Sequence, residues 1–204
     1  KRPIKKATYS TKKVKASLPK VTVRKPADEV IYTKENSTSI FDIQNGDTLI
    51  YEVNASGSTY DYWVIVNEFS YEKGIDFSWL MTDPVNKSGR VKVSPSAKSD
   101  ATKYVNYFAP GVMQLKDACT VWLSGKNFGD MPSKETMIQL DNDAPEKFSR
   151  PENDEVTYDI NYRGKEIKLD AFIIQSNGES YNKQIHILNT SGNPLIVAMD
   201  LGWT

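Results

Sequence analysis

The sequence predicts a mainly β protein: an antiparallel β-sandwich or partly open barrel with one packed α-helix at about 95–108. Three observations carry that expectation. Residues 48–69, TLIYEVNASGSTYDYWVIVNEF, alternate apolar and polar side chains on either side of Ser56-Gly57-Ser58, the pattern of a long hairpin. The last third repeats short alternating runs between the turn residues Arg163-Gly164, Asn177-Gly178 and Gly192-Asn193-Pro194. A single convincing helical spacing occurs, and Ser94-Pro95 opens it with an N-cap and a first-turn proline.

Taken in order, residues 1–27 read as a basic extended arm or linker, with a short strand at Val21–Val23, and residues 28–204 as one β-rich domain. Short strands are expected at Glu29–Thr33 and Ser39–Ile43, and Asn45-Gly46-Asp47 turns the chain into the hairpin. In the second arm Tyr62, Val64 and Val66 oppose Trp63, Ile65 and Phe69, so both faces are apolar and the strand belongs in the middle of its sheet. Ile75, Phe77, Trp79 and Met81 alternate as a third strand of the meander, and Arg90–Val93 as a fourth, short one.

The helix expected over 95–108 places Ala97, Ala101, Tyr104, Val105 and Phe108 on one face, and Pro110-Gly111 ends it. A strand follows near Cys119–Leu123, a helical turn around Lys126–Met131, and another strand over Lys134–Leu140. Residues 141–154, DNDAPEKFSRPEND, are polar and hold two prolines, which reads as a long surface loop. Val156–Tyr162 and Ile167–Ile173 form a hairpin, and Tyr181–Leu188 and Leu195–Leu201 complete the β pattern.

Composition limits the function classes. At 204 residues and 39% hydrophobic, the chain can build a good core. No apolar run approaches the roughly 18 residues of a transmembrane helix. One cysteine, Cys119, excludes an internal disulfide framework and leaves the compartment open. A net charge of zero hides an asymmetry: residues 1–25 hold ten Lys or Arg and no acid, so the remainder carries sixteen basic and twenty-six acidic residues, a net of −10. The arm is expected to be solvated or to lie on the acidic body. The sharper alternative is that Lys5, Lys6, Lys12 and Lys13 contact an anionic partner such as lipid head groups or cell-wall polymer. Nucleic acid is not expected, because Tyr9 is the arm's only aromatic and the body would repel phosphate. The chain opens at Lys1 with no apolar signal-peptide core, so prior removal of a targeting segment is one expectation and an arbitrary boundary the other.

Few residues point to chemistry. His186 is the only histidine, so any Ser-His-Asp or Cys-His mechanism must use it, yet it alternates with Asn182 and Gln184 on the expected wet side of its strand. Cys119 shares a face with Val121 and Leu123 and reads as a buried, inert thiol. One histidine and one cysteine do not make a zinc site, but Asp141, Asp143 and Asp154 supply oxygen ligands that calcium would accept. Glu52, Asp61, Glu68 and Asp76 on the central strands keep open a carboxylate pair for glycoside hydrolysis. Ser124-Gly125-Lys126 lacks the spacing of a phosphate loop. The aromatic residues Tyr60, Tyr62, Trp63, Trp79 and Trp203, with Trp122, are candidates to line a glycan or lipid groove, although most should be core. Asn36, Asn54, Asn86 and Asn189 open N-x-S/T sequons, which matter only in a eukaryotic secretory host.

The runs GNPLIVAMDLGWT and NGDTLIYEV and the segment NYFAPG resemble uncharacterised exported and lipoprotein-type proteins of Bacteroidetes bacteria. The resemblance implies export to the periplasm, outer membrane or cell surface and a lipid anchor upstream of residue 1, although the chain itself has no lipobox cysteine. The expected function is therefore a non-enzymatic exported β-sandwich that binds a ligand, a glycan or lipid, or an envelope protein. The alternatives are a polysaccharide-acting hydrolase with a carboxylate pair, and a surface-assembly subunit to which the arm donates a strand.

Overall fold

The computed structural model describes residues 21–24, 41–55, 57–70, 72–82, 87–106, 108–131, 135–177 and 182–202. The fold is mainly β, with the expected character of a sandwich curled into a partly open barrel. The strand expected at 29–33 lies outside the described residues, and Phe41–Ile43 is irregular rather than a strand.

β1 (Val21–Arg24) is the short strand expected within the arm. β2 (Thr48–Ala55) and β3 (Ser58–Ser70) form the long hairpin, turning through Gly57 at φ 77°, a left-handed conformation that glycine adopts without cost. β4 (Gly74–Met81) and β5 (Ser88–Val93) continue the antiparallel meander, so β3 is indeed central. A bulge at Asn67 resets the alternation of β3: Val66 pairs with Phe77, but Glu68 pairs with Asp76. Phe69 therefore turns to the inner face with Val64 and Val66 and packs on Trp122, leaving Trp63 and Ile65 on the other side.

The helix is shorter than its spacing predicts. α1 (Pro95–Asp100) has the expected cap, with Ser94 Oγ accepting the Ala97 N–H at 3.1 Å, but Ala101 is already extended at φ −62°, ψ 139°. β6 (Lys103–Tyr104) follows instead, and β7 (Gly111–Leu115), not foreseen, pairs in parallel with β5. The ladder explains the change. β6 lies between β8 (Ala118–Cys119) and β9 (Glu135–Leu140), parallel to both, and the C=O groups of Thr102 and Tyr104 accept N–H groups of Gln139 and Asp141. Sheet pairing satisfies the backbone more fully than two further turns of a marginal helix. The strand expected over Cys119–Leu123 ends at Cys119, because Val121 sits at φ 61°. α2 (Gly125–Gly129) is the short helical turn expected nearby.

The stretch 141–154 is not one loop. β10 (Glu146–Ser149) pairs with β9, and its Phe148 is fully buried, which the polar composition of the stretch concealed. β11 (Glu155–Tyr162) and β12 (Lys165–Asn177) are the expected hairpin, followed by β13 (Asn182–Leu188) and β14 (Ile196–Asp200). β12 is the spine of this half: one edge pairs first with β11 and then with β10, while the other pairs with β13.

Two apolar clusters result. The first fills the space between the inner face of the meander, with Leu49, Val64, Phe77 and Trp79, and Leu169, Ala171 and Leu188 of the second half. The second lies behind β12 and β13, where Phe172, Ile174, Ile185 and Ile187 meet Ile138 and Phe148. Each large apolar side chain buried in this way contributes about 1.5–3 kcal/mol. No helix among the described residues is long and apolar enough to cross a membrane.

The halves meet at β1, which is antiparallel to β2 and, through Val23 opposite Tyr162, parallel to β11. Beside that joint Asp47, 3% exposed, accepts the Gln44 N–H at 2.9 Å and two hydrogen bonds from Arg163, at 3.2 Å from Nε and 2.8 Å from Nη2. Replacing Arg163 with Met would leave that carboxylate buried without its cation. The expected loss is about 3 kcal/mol, below the cost at a fully buried pair because Arg163 keeps 27% of its exposure. Urea unfolding of Arg163→Met beside the double variant Asp47→Asn/Arg163→Met checks this: the double variant should recover part of the loss.

Candidate functional site

A cavity of about 370 Å³ opens where the meander faces the end of β14. Alternation on β2 turns Tyr51, Val53 and Ala55 inward, and register places Tyr62 opposite Tyr51 and Tyr60 opposite Val53. Tyr104 and Phe108, carried past the meander by the extended chain after α1, close one side, and Ala198 and Met199 the other. Phe108 stacks on Tyr62 with centroids 5.6 Å apart and planes 7° from parallel, and Trp79 packs behind both rings at 6.0 and 5.8 Å. The wall is a set of packed aromatic rings, of which Tyr51 and Tyr62 stand on paired strands.

The hydroxyls in this wall have different fates. Tyr51 Oη donates to the Ile196 carbonyl at 3.0 Å, and Tyr104 Oη accepts the Val121 N–H at 3.0 Å, the contact that holds Val121 in its positive-φ conformation. Tyr62 Oη is buried with no hydrogen-bond partner among the described residues. Burial, reinforced by the neighbouring phenols, raises the pKa of Tyr51 and Tyr62 well above the ordinary tyrosine value, so both remain neutral. The charged residues lining the cavity are at its rim: Glu52 and Lys87 are exposed and Asp200 is half-buried.

The sequence-predicted ligand residues divide accordingly. Tyr60 and Tyr62 line the cavity, and Trp79, 1% exposed, backs it from the core. Trp63 follows Tyr62 in the strand and so faces the opposite side of the sheet, opposite Ile50 and Leu80 in the ladder. Trp122 is core, its Nε1 donating to Asn193 Oδ1 at 2.8 Å. Trp203 and the arm residues Lys5, Lys6, Lys12 and Lys13 lie outside the described residues. Tyr51, Tyr104 and Phe108 were missed. Tyr51 was legible as an inward strand residue, whereas the helical spacing concealed the other two.

The candidate calcium ligands are held by separate partners. Asp141 Oδ1 accepts the Asn106 N–H at 2.7 Å, Asp143 lies 3.7 Å from Lys183 Nζ, and Asp154 pairs with Arg150. No group of three or more His, Cys, Asp or Glu side chains is gathered as metal ligands among the described residues. The carboxylates of the central strands point away from the inner face. Glu52 is directly opposite Asp61, and Glu68 directly opposite Asp76. Asp76 takes two hydrogen bonds from Arg90, at 2.7 and 2.8 Å. Burial pushes the Asp76 carboxyl upward, but hydrogen bonds from Arg90 and Asn67 and the charges of Arg90 and Lys92 outweigh it and hold the group below its ordinary value. A second groove, between α2 and β9, is open and lined by Lys126, Asp130, Glu135 and Lys147.

His186 is not on a wet face. It is 3% exposed, its Nδ1 shares a hydrogen bond with Tyr158 Oη, and its Nε2 is buried without a partner among the described residues. The strand's polar alternation misled because this face of β13 turns toward the first cluster, where Leu188 lies and Tyr158 packs on the imidazole. Cys119 is buried as expected, its thiol donating to the Ala97 carbonyl at 3.1 Å, and burial pushes its pKa up to about 12.

Comparison with known protein families, with curated proteins and with solved structures finds no match for this chain.

Two measurements follow from these buried groups. Burial lowers the His186 pKa against a smaller opposing pull from Asp200, so the unfolded chain binds the proton more readily than the native one. That contribution to stability is complete above the ordinary histidine value of about 6.5 and declines as pH falls below it. Unfolding free energy measured from pH 7.5 to 5 should fall more steeply in the wild type than in His186→Gln. Cys119 should resist a thiol reagent at pH 8 in the native protein and react at once in denaturant. Rapid labelling of the folded chain would contradict the inert assignment.

Proposed function

We propose that this protein is a non-enzymatic binding module that holds a small ligand in the cavity between β2, β3 and β14, and that it acts at the cell envelope or surface. The observation that carries the reading is the cavity itself, about 370 Å³, within the size range of ligand sites and walled by Tyr51, Tyr62, Tyr104 and Phe108. Tyr51 and Tyr62 come from paired strands, and Trp79 packs on both Tyr62 and Phe108, which supports a preformed site rather than a gap in packing. The envelope location rests on the sequence resemblance and on the basic arm before an acidic body. Of the carboxylates considered for hydrolysis, Asp61, Glu68 and Asp76 project from the outer face of the meander and Glu52 reaches only the cavity's rim, so the cavity offers binding more readily than acid–base chemistry.

Native mass spectrometry of protein purified gently from its own host, with half of the preparation delipidated, tests the reading. A reproducible extra mass in the untreated half, lost on delipidation, is the expected result. Ala55→Trp, which places a large ring on the inward face of β2, should abolish that mass while leaving the circular dichroism unchanged. A bare chain mass in both halves would overturn the reading.

A further inference from the structure

Resting on that binding reading, we propose that the cavity's occupant is a small uncharged molecule with a hydrocarbon body and one carbonyl-type acceptor oxygen directed at Tyr62 Oη. Two other tyrosine hydroxyls of the wall bond the main chain: Tyr51 donates to the Ile196 carbonyl and Tyr104 accepts the Val121 N–H. Tyr62 Oη is buried with no hydrogen-bond partner among the described residues, as is Thr120 Oγ1 elsewhere in the lining. A buried donor left unmet is costly, and an acceptor oxygen on the ligand would remove that cost.

The acceptor is uncharged because of what surrounds it. No cationic side chain among the described residues lines the interior, and Lys87 is exposed at the rim. A carboxylate or phosphate beside Tyr62 would be desolvated without a counter-charge. An alkylammonium could lie against the rings, but it offers no acceptor to the hydroxyl and would leave that donor unmet.

The remaining wall suits a hydrocarbon. Val53, Ala55, Val121 and Ala198 are aliphatic, and Met81 and Met199 add thioether side chains that repack around irregular apolar shapes. A space of about 370 Å³ holds on the order of a dozen groups the size of a water molecule or methylene, each taking roughly 30 Å³. An acyl ester, amide or ketone of medium chain length fits both the volume and the unmet Tyr62 donor.

Isothermal titration of the delipidated full chain with 2-nonanone, nonanoate and nonyltrimethylammonium at pH 8 tests this. The ketone should bind about tenfold or more tighter than either ion. Tyr62→Phe should weaken ketone binding about fivefold, the worth of one neutral hydrogen bond. The same variant, without ligand, should melt at or above the wild-type temperature, since the removed hydroxyl has no partner to lose. A Tyr62 with a purely structural hydrogen bond would instead lower the melting temperature. Nonanoate or the ammonium binding as tightly as the ketone, or an unchanged ketone affinity in Tyr62→Phe, would overturn the proposal. If no probe binds but the host preparation carries its extra mass, the ligand class is wrong and the binding reading stands. If neither occurs, both fall.

Discussion

The ion pair of Asp47 with Arg163 is the constraint on which the two halves of the molecule depend. Asp47 closes the turn into β2, its carboxylate bonding the Gln44 N–H and its C=O accepting the Val66 N–H of β3. Arg163 sits at φ 51° in the turn between β11 and β12 and lies over the Tyr162 ring, whose hydroxyl donates to the Asp42 carbonyl. One charged contact therefore registers the β2–β3 hairpin against the β11–β12 hairpin, next to the residue pair that links β1 to β11. Because Asp47 is 3% exposed, its charge is tolerable only with this partner in place, and the pair fixes one relative position of the halves where apolar packing alone would accept several.

From that fixed position the cavity follows as geometry. The meander supplies one wall through strict alternation, and β14 supplies the other because it pairs with β13 alone. Between them runs a chain that abandons its helix at Ala101 and takes up a short parallel ladder, carrying Tyr104 and Phe108 to different places: Tyr104 into the second cluster, Phe108 onto Tyr62 and Trp79. Val121, a β-branched residue at φ 61°, is strained in a way that glycine would not be, and the hydrogen bond from its N–H to Tyr104 offsets part of that strain. Such strain placed at a cavity wall is consistent with a site held open by its surroundings.

Much of this was legible in residues with a strong local signal. The period-two alternation of 48–55 and 155–162 gave strands whose inward faces are those observed, and Ser94-Pro95 marked a true helix start. What was lost depended on distant partners. The Asn67 bulge rotates Phe69 to the other face without any glycine to announce it. Phe148 looked like a lone aromatic in a polar loop because its burial comes from β9, β12 and the second cluster. His186 looked wet because nothing in Asn182–Leu188 reveals that Tyr158 and the first cluster cover its face. The cavity was half legible: Tyr60 and Tyr62 lie on an alternating strand, while Tyr104 and Phe108 needed knowledge that sheet pairing would defeat their helical spacing.

The position of β1 has a consequence for synthesis. Val23 pairs with Leu49, which leaves the ribosome soon after it, and with Tyr162, which emerges much later. The first half of the chain can thus complete its meander while the last hairpin is still unmade, and at that stage β2 would be a bare strand edge of the kind that recruits other chains. β1, paired along β2, covers that edge, and Val23 meets Tyr162 once β11 has emerged.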